Sequence, residues 1–297
     1  MKDEIFTYYQ NFMIFFTFLL FWFGIQFGEI VEDSFAFFLV ITIGILHGAN
    51  DLLILSKRNF SSKKNVNKNL LIYLFMITLC VILFFLNSFL AIITFIIISA
   101  FHFGEEHFSE KIKQNGIERY FYFFIYGLIV FGMLFYNSEI QLKEIMIDLV
   151  GISFSPYLVK VILLISILLF LLMSVYFFLK KQTSLKIVVR EIFYLMFLFL
   201  VFKTTSLIYG FAIYFILWHS LPSILHQVLY LSGEVNKQTV LKFVRKALLF
   251  WVISAIGILL LYFLTPSLKF FSSSLFAVLF AVTAPHMWVM STMKSTV

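Results

Sequence analysis

The sequence of 297 residues is poor in the residues on which soluble and secreted proteins rely. Its one cysteine, Cys80, excludes an internal disulfide bond. With only four prolines and twelve glycines, little of the chain can serve as a linker. Charged residues make up 12% of the chain, about half the share found in a soluble domain. Because 62% of the residues are apolar and the mean hydropathy is +1.01, a water-soluble fold is excluded.

Apolar runs along the chain have the length of membrane-spanning helices, which need about 17 to 25 residues. Ten such runs can be drawn, with the weakest divisions at Asn87-Ser88 and at residues 203–206. The runs are residues 12–28, 35–55, 69–86, 88–103, 120–136, 157–179, 187–202, 207–231, 247–265 and 271–292. The sequence therefore predicts that residues 1–297 form one integral membrane domain, an all-α polytopic helix bundle of about ten spans (eight to ten).

Basic residues predict the orientation of the chain, because cytoplasmic loops of membrane proteins are enriched in Lys and Arg. With both termini cytoplasmic, all but four of the 22 Lys and Arg fall on the inner side; the exceptions are Lys143, Lys160, Lys203 and Lys269. We therefore predict a multi-pass protein of the cell inner (plasma) membrane with both termini inside. The net charge of +7 then reflects orientation and contact with anionic lipid, and no nucleic-acid partner is expected.

All six histidines lie on four apolar segments, which indicates a buried site because an imidazole inside a membrane is costly without a partner. These segments are the second, fourth, eighth and tenth predicted spans, which all run from outside to inside. At about 1.5 Å per residue, His47 and His219 lie roughly 18 Å from the outer end of their spans, with His102 and His286 slightly deeper. Four helices with a histidine near one level favour a metal centre.

Acidic residues near these histidines are candidates for orienting metal ligands. Asp51 follows His47 by four residues on the same helical face. Its carboxylate could accept the second ring N–H of a ligand histidine from its own or a neighbouring helix. Glu105 is a candidate partner for His102. We interpret His107 as a solvated loop residue closer to the cytoplasm and a less favoured ligand.

The residue types narrow the class of metal site. His219 and His226 are seven residues apart, hence on one helical face, and Pro222 between them predicts a kink. Imidazole ligands suit iron, copper and zinc alike. Without cysteine ligands, an iron–sulfur or thiolate site is disfavoured. The chain also lacks the HExxH motif of zinc proteases and the dense histidine boxes of membrane desaturases.

Four motifs resemble those of the Brp/Blh family of membrane β-carotene 15,15'-dioxygenases. They are His47-Gly48-Ala49 followed by Asp51, Phe101-His102-Phe103-Gly104, Trp218-His219-Ser220 and Pro285-His286. The resemblance covers nearly the whole chain in length, hydropathy and motif order. It implies an Fe(II)- and O2-dependent enzyme that cleaves the central double bond of β-carotene to two all-trans-retinal. It further implies no catalytic residue beyond the metal site, and a rhodopsin as acceptor of the retinal.

The resemblance also implies a ligand set. The family holds one Fe(II) by four histidines, and its first three motif ligands correspond to His47, His102 and His219. In the family a further histidine follows the third-motif ligand by four residues, a position that is Ser223 in this chain. We take His226 as the fourth ligand, with His286 as its competitor. This departure leaves a different carotenoid or another oxidative reaction open.

Other classes of function also use buried histidines. A divalent-metal transporter needs polar residues stepping across the whole membrane and inverted repeats. The odd-numbered spans and the outer halves of the even ones carry few such residues, and the sequence shows no internal repeat. A bis-histidine haem carrier leaves the remaining histidines unexplained. Another membrane oxidase of a lipid-soluble substrate stays an alternative beside the transporter.

Overall fold

The computed structural model of the protein describes residues 2–58, 63–112, 116–264 and 271–294. Within these ranges the chain is helical and contains no strand, which confirms the all-α class. The α-helices are α1 (Lys2–Gln26), α2 (Glu29–Leu39), α3 (Ile45–Gly48), α4 (Asp51–Arg58), α5 (Lys63–Leu86), α6 (Ser88–Phe108), α7 (Ile117–Asn137), α8 (Glu139–Val150), α9 (Pro156–Leu179), α10 (Leu185–Thr204), α11 (Leu207–Ile213), α12 (Leu221–Ser232), α13 (Lys237–Leu264) and α14 (Phe271–Lys294). Two π-helical segments, π1 (Val40–Gly44) and π2 (Tyr214–Ser220), precede α3 and α12.

Eight helical stretches of the described chain are long and apolar enough to cross a membrane. They are Phe6–Gln26, Glu29–Lys57, Asn67–Leu86, Ser88–Phe108, Ile117–Asn137, Pro156–Leu179, Leu207–Ser232 and Lys237–Leu260. A shorter apolar stretch, Ala277–Met293, lies in α14. Helix α10, which lies on the seventh predicted span, is not one of these eight stretches, because Lys186, Arg190 and Glu191 make it more polar. The helices have the composition expected of a membrane protein.

Two features depart from the predicted runs. Helix α6 continues to Phe108, whereas the fourth run was predicted to end at Phe103, so residues 104–108 are helical and not part of a loop. Helix α8 occupies a segment for which the sequence predicted an outer loop. Of the charges used for the orientation, Lys113 and Lys269 lie outside the described residues.

The described chain divides into two compact units. Unit 1 consists of Met1–Leu39, Ser99–Ile147 and Ile152–His219, and unit 2 of Val40–Ile98, Asp148–Gly151 and Ser220–Val297. In unit 1, α7 packs along α9. Tyr122 of α7 stacks on Phe170 of α9 with ring centroids 5.0 Å apart, and the Tyr122 hydroxyl lies 2.9 Å from that of Ser174. This apolar packing forms the core of unit 1.

Two glycines allow α6 and α7 to meet backbone to backbone within unit 1. A Cβ added at Gly104 of α6 would lie 1.8 Å from the carbonyl oxygen of Phe123. A Cβ added at Gly127 of α7 would lie 1.9 Å from the carbonyl oxygen of Ala100. Only glycine fits at such an approach, because no side chain can move aside. Gly104 therefore serves helix packing and does not end α6.

The beginning of α11 is capped by side chains from other parts of unit 1. The backbone N–H of Ser206 donates to the buried Glu32 carboxylate at 2.7 Å, and that of Leu207 donates to the Gln141 side-chain oxygen at 2.5 Å. The Ser206 hydroxyl also donates to Asp33. First-turn N–H groups have no partner inside their own helix, so these acceptors stabilise the start of α11. Helix α11 continues directly into π2.

Unit 2 is built around α14. This helix packs along α5 and against α4 and α13. The resulting apolar cluster consists of Ile54, Leu55, Tyr73, Val289, Met290 and Met293. A second cluster joins Ile224 and Val228 of α12 to Phe243 of α13. Leucine and isoleucine side chains farther along α13 are exposed, as expected of a surface that faces lipid.

Candidate functional site

Unit 2 contains a buried pair of histidines, His47 and His286. His47 is 3% exposed and lies on α3, three residues after π1. His286 is 5% exposed and lies on α14. Their rings are in contact, with centroids 4.3 Å apart and planes at 68°. Single-turn π-helical segments are frequent at functional sites. The sequence predicted both residues as candidate ligands, and the structure brings them together.

The Asp51 carboxylate holds the ring of His286. The Nδ1 atom of His286 lies 2.8 Å from Oδ1 and 3.0 Å from Oδ2 of Asp51. The hydroxyl group of Tyr73 donates to Oδ2 at 3.0 Å. Because a carboxylate accepts and does not donate, the ring hydrogen of His286 belongs on Nδ1, and its Nε2 carries the lone pair that a metal requires. This is the arrangement in which a carboxylate orients a metal-binding imidazole.

The local geometry around Asp51 differs from the single helical face that its spacing from His47 predicted. Asp51 accepts from a histidine on a neighbouring helix, one of the two alternatives that the sequence allowed. It does not continue the helix of His47, since α3 ends at Gly48 and Asp51 opens α4 after a turn at Ala49 and Asn50. Asn50 stabilises that turn by donating to the Phe243 carbonyl at 3.1 Å.

Gln227 of α12 also contacts His47. Its amide nitrogen donates to the His47 carbonyl oxygen at 3.0 Å and lies 3.3 Å from Nδ1 of the same residue. Gln227 and Ser223 are fully buried, and the Ser223 hydroxyl lies 3.9 Å from the Met290 sulfur. Sequence reasoning missed Gln227, although an amide on an apolar membrane helix is itself a signal of a buried polar contact.

The two candidates for the fourth ligand differ in their surroundings. His286 is buried, contacts His47 and is oriented by Asp51. His226 lies on α12 and is partly exposed, whereas its neighbours Ser223 and Gln227 on the same helix are buried. Within unit 2, His286 therefore has the environment of a metal ligand more clearly than His226.

Unit 1 contains a second buried pair, His102 of α6 and His219 of π2. Each is 1% exposed, and their ring centroids are 4.7 Å apart. Aromatic rings surround His219: the centroid of Phe103 is 4.7 Å away, and Phe215 stacks on it at 5.7 Å. The π2 segment lies just before Pro222, at which the sequence predicted a kink. The sequence predicted both histidines as ligands, and the structure places them in contact.

His107 is not the solvated loop residue that the sequence suggested. It lies on the last turn of α6, with its side chain 8% exposed, and its Nε2 is 2.5 Å from the buried Glu191 carboxylate of α10. Its ring stacks on Tyr126 at 4.7 Å. Lys111 lies 2.9 Å from Glu191. Burial lowers the pKa of the Lys111 ammonium below its ordinary value, and the Glu191 carboxylate opposes this shift.

The carboxylates beside His107 also lie within α6. Glu105 is 9% exposed and Glu106 is 5% exposed, so neither belongs to an ordinary solvated loop. Glu105 follows His102 by three residues on the helix, close enough in sequence for the two side chains to lie on neighbouring positions of one face. Its predicted role as the partner of His102 stays a prediction.

An all-helical membrane protein with buried pairs of histidines in both units is the class that the fold and these residues define. The family model described as beta-carotene 15,15'-dioxygenase matches residues 38–294, and the chain therefore belongs to this family. The resemblance inferred from the histidine motifs is confirmed. A search among curated proteins found no match. A search among solved structures also found none.

Proposed function

We propose that the protein cleaves β-carotene with O2 at its central double bond, giving two all-trans-retinal, and that it depends on one Fe(II). Family membership is the observation that carries this proposal. β-Carotene is apolar and about as long as the hydrocarbon core of a bilayer is thick, roughly 30 Å. An enzyme that takes it from lipid needs apolar walls in the membrane, and the eight apolar helices meet that need.

We further propose that His47, His102, His219 and His286 hold the iron. The donor set fits Fe(II), because these histidines are buried and imidazole is a suitable ligand for iron. Neutral imidazoles leave the 2+ charge of the ion unchanged. Asp51 supports the choice of His286 over His226, since it keeps the ring hydrogen of His286 on Nδ1. In this proposal the two units act as one integral membrane domain, residues 1–297.

The protein side chains have separate roles in this reaction. When bound, Fe(II) supplies the O2-dependent redox chemistry that protein groups lack. Asp51 orients His286, and Glu105 is the proposed partner of His102. Phe103 and Phe215 surround His219 with apolar surface, which excludes water from that ring. No further acid, base or nucleophile is required.

The membrane placement is part of the proposal. The distribution of Lys and Arg supports ten spans in the cell inner membrane with both termini cytoplasmic, α10 being the seventh span. The inner side would face anionic lipid. Retinal released into the bilayer would reach a rhodopsin as acceptor.

Expression in cells that accumulate β-carotene tests the reaction. We expect the orange colour to fade and retinal to appear by chromatography, with both effects absent for His47→Ala and His102→Ala. Persistent β-carotene without retinal, from protein shown to be present and iron-loaded, contradicts the proposed function.

The fourth ligand is tested by the iron content of purified variants. We expect His286→Ala to lose iron and His226→Ala to keep it. If only His226→Ala loses iron, His226 and not His286 is the fourth iron ligand. Normal iron in both variants would leave a site of three histidines.

A further inference from the structure

The side chain of Tyr73 combines an apolar contact with a single polar one. Tyr73 lies on α5 and is 8% exposed, within the cluster formed with Ile54, Val289 and Met290. Its hydroxyl donates to Oδ2 of Asp51 at 3.0 Å. A phenylalanine would serve the apolar cluster equally well, so packing alone does not explain the hydroxyl group.

The same carboxylate oxygen also faces His286. Oδ2 of Asp51 lies 3.0 Å from Nδ1 of His286, and Oδ1 lies 2.8 Å from it. The terminal torsion of an aspartate side chain is broad, so one donor leaves its carboxylate free to rotate. A second donor from another helix restricts that rotation. Tyr73 on α5 and His286 on α14 therefore hold Asp51 of α4 between them.

We propose that Tyr73 is a positioning residue, which fixes the Asp51 carboxylate and thereby holds the ring of His286 with its hydrogen on Nδ1 and Nε2 directed to the metal. The inference rests on the proposed role of His286 as an iron ligand. Groups that orient metal ligands in this way typically change metal affinity about 10- to 100-fold when they are removed. Tyr73 acts through Asp51, so the lower end of that range is expected.

Nitrogen NMR of histidine tests the orientation without any metal. The full-length, metal-free protein is labelled with ¹⁵N at histidine, and the His286 signals are identified by their loss in His286→Gln. We expect the parent ring to be protonated on Nδ1 and Tyr73→Phe to populate both ring tautomers. Tyr122→Phe is the matched control, because Tyr122 is also buried and its hydroxyl contacts Ser174. That variant should leave the His286 signals unchanged.

Metal affinity tests the consequence. Competition between the protein and a chelator for Co(II) should show about tenfold weaker binding for Tyr73→Phe. Tyr122→Phe should bind as the parent does. If Tyr73 has a merely structural role, Tyr73→Phe would lower the thermal stability of the protein and leave its Co(II) affinity unchanged, which would overturn the inference.

The outcomes separate this inference from the proposed function. A parent protein that binds no Co(II) contradicts the proposed metal site, whereas His286 signals identical in the parent and Tyr73→Phe contradict the role of Tyr73. If Tyr73→Phe does not fold, the parent spectrum decides, since a His286 ring protonated on Nε2 overturns the inference.

Discussion

The two histidine pairs have different neighbours. In unit 1, His219 lies among the rings of Phe103 and Phe215 beside His102. In unit 2, His286 is held by hydrogen bonds, through Asp51, and His47 contacts the Gln227 amide. Both pairs are buried. Aromatic rings pack against the unit 1 pair, and hydrogen bonds orient the rings of the unit 2 pair.

This contrast has a physical consequence for each unit. Aromatic packing restricts where a ring can lie, but it does not select which nitrogen carries the hydrogen. A carboxylate selects the tautomer and also makes the imidazole a better ligand. We therefore expect substitutions near the unit 1 pair to act first on folding, and those near the unit 2 pair to act first on metal binding.

The largest effect on folding is expected from Gly104→Ala. The added methyl group would meet the Phe123 carbonyl oxygen at 1.8 Å, and separation of α6 from α7 is the only relief. Because backbone atoms cannot move aside, we expect the loss to exceed the roughly 1 to 3 kcal/mol that is typical of overpacking and to prevent folding, seen as little folded protein after detergent extraction. Gly257→Ala is the control, since nothing lies within 4 Å of that position and alanine favours a helix. Normal yield of Gly104→Ala would contradict the backbone contact.

Removing an aromatic ring next to His219 should have the next largest effect. Phe103→Ala is expected to lower the stability of the fold by about 3 to 5 kcal/mol, because it leaves a cavity in a packed core. Thermal unfolding in detergent measures this change. Phe193→Ala on α10 is the control, because that ring is 60% exposed. Equal unfolding temperatures for the two variants would show that packing does not hold the unit 1 pair.

In unit 2, Asp51→Asn should separate metal binding from folding. The variant keeps the size of the side chain but replaces the carboxylate that accepts from His286. We expect metal affinity to fall about 10- to 100-fold while the unfolding temperature changes little. Chelator competition and thermal unfolding measure the two quantities. Glu144→Gln, at an exposed acid, is the control. A loss of stability without a loss of affinity would remove the contrast between the units.

The smallest effect is expected for Gln227→Met. Methionine keeps the length of the side chain and removes the donor to the His47 carbonyl. One lost hydrogen bond corresponds to about 1 kcal/mol of stability, and we expect only a few-fold weaker metal binding. An effect as large as that of Asp51→Asn would mean that Gln227, too, controls the orientation of a ligand.

Part of the site could be predicted from residue type and hydropathy. His47, His102, His219 and His286 stand out as polar residues on apolar spans, and their burial follows from that position. Asp51 was predicted as an orienting carboxylate because it follows His47 by four residues. The prediction was wrong about the end of the fourth apolar run. His107 was interpreted as a loop residue, whereas it lies with Glu105 and Glu106 in the last turns of α6.

Other contacts gave no clear local signal. Tyr73 is one of 14 tyrosines, and its role depends on Asp51, 22 residues earlier. The residues next to Glu191 in the sequence do not indicate its role, yet it is 1% exposed and paired with His107 and Lys111. Such residues are identified only by their partners, which are distant along the chain.

The sequence by itself determined that the chain is helical, apolar and a member of this family, because those properties depend on composition, period and local motifs. Tertiary structure alone decided which histidines form pairs and which acid orients them. Hydropathy sets how deep a residue lies along a helix, but the rotation of that helix is set by packing against its neighbours. For that reason only the tertiary structure shows that His286 lies against His47 and that Asp51 orients it.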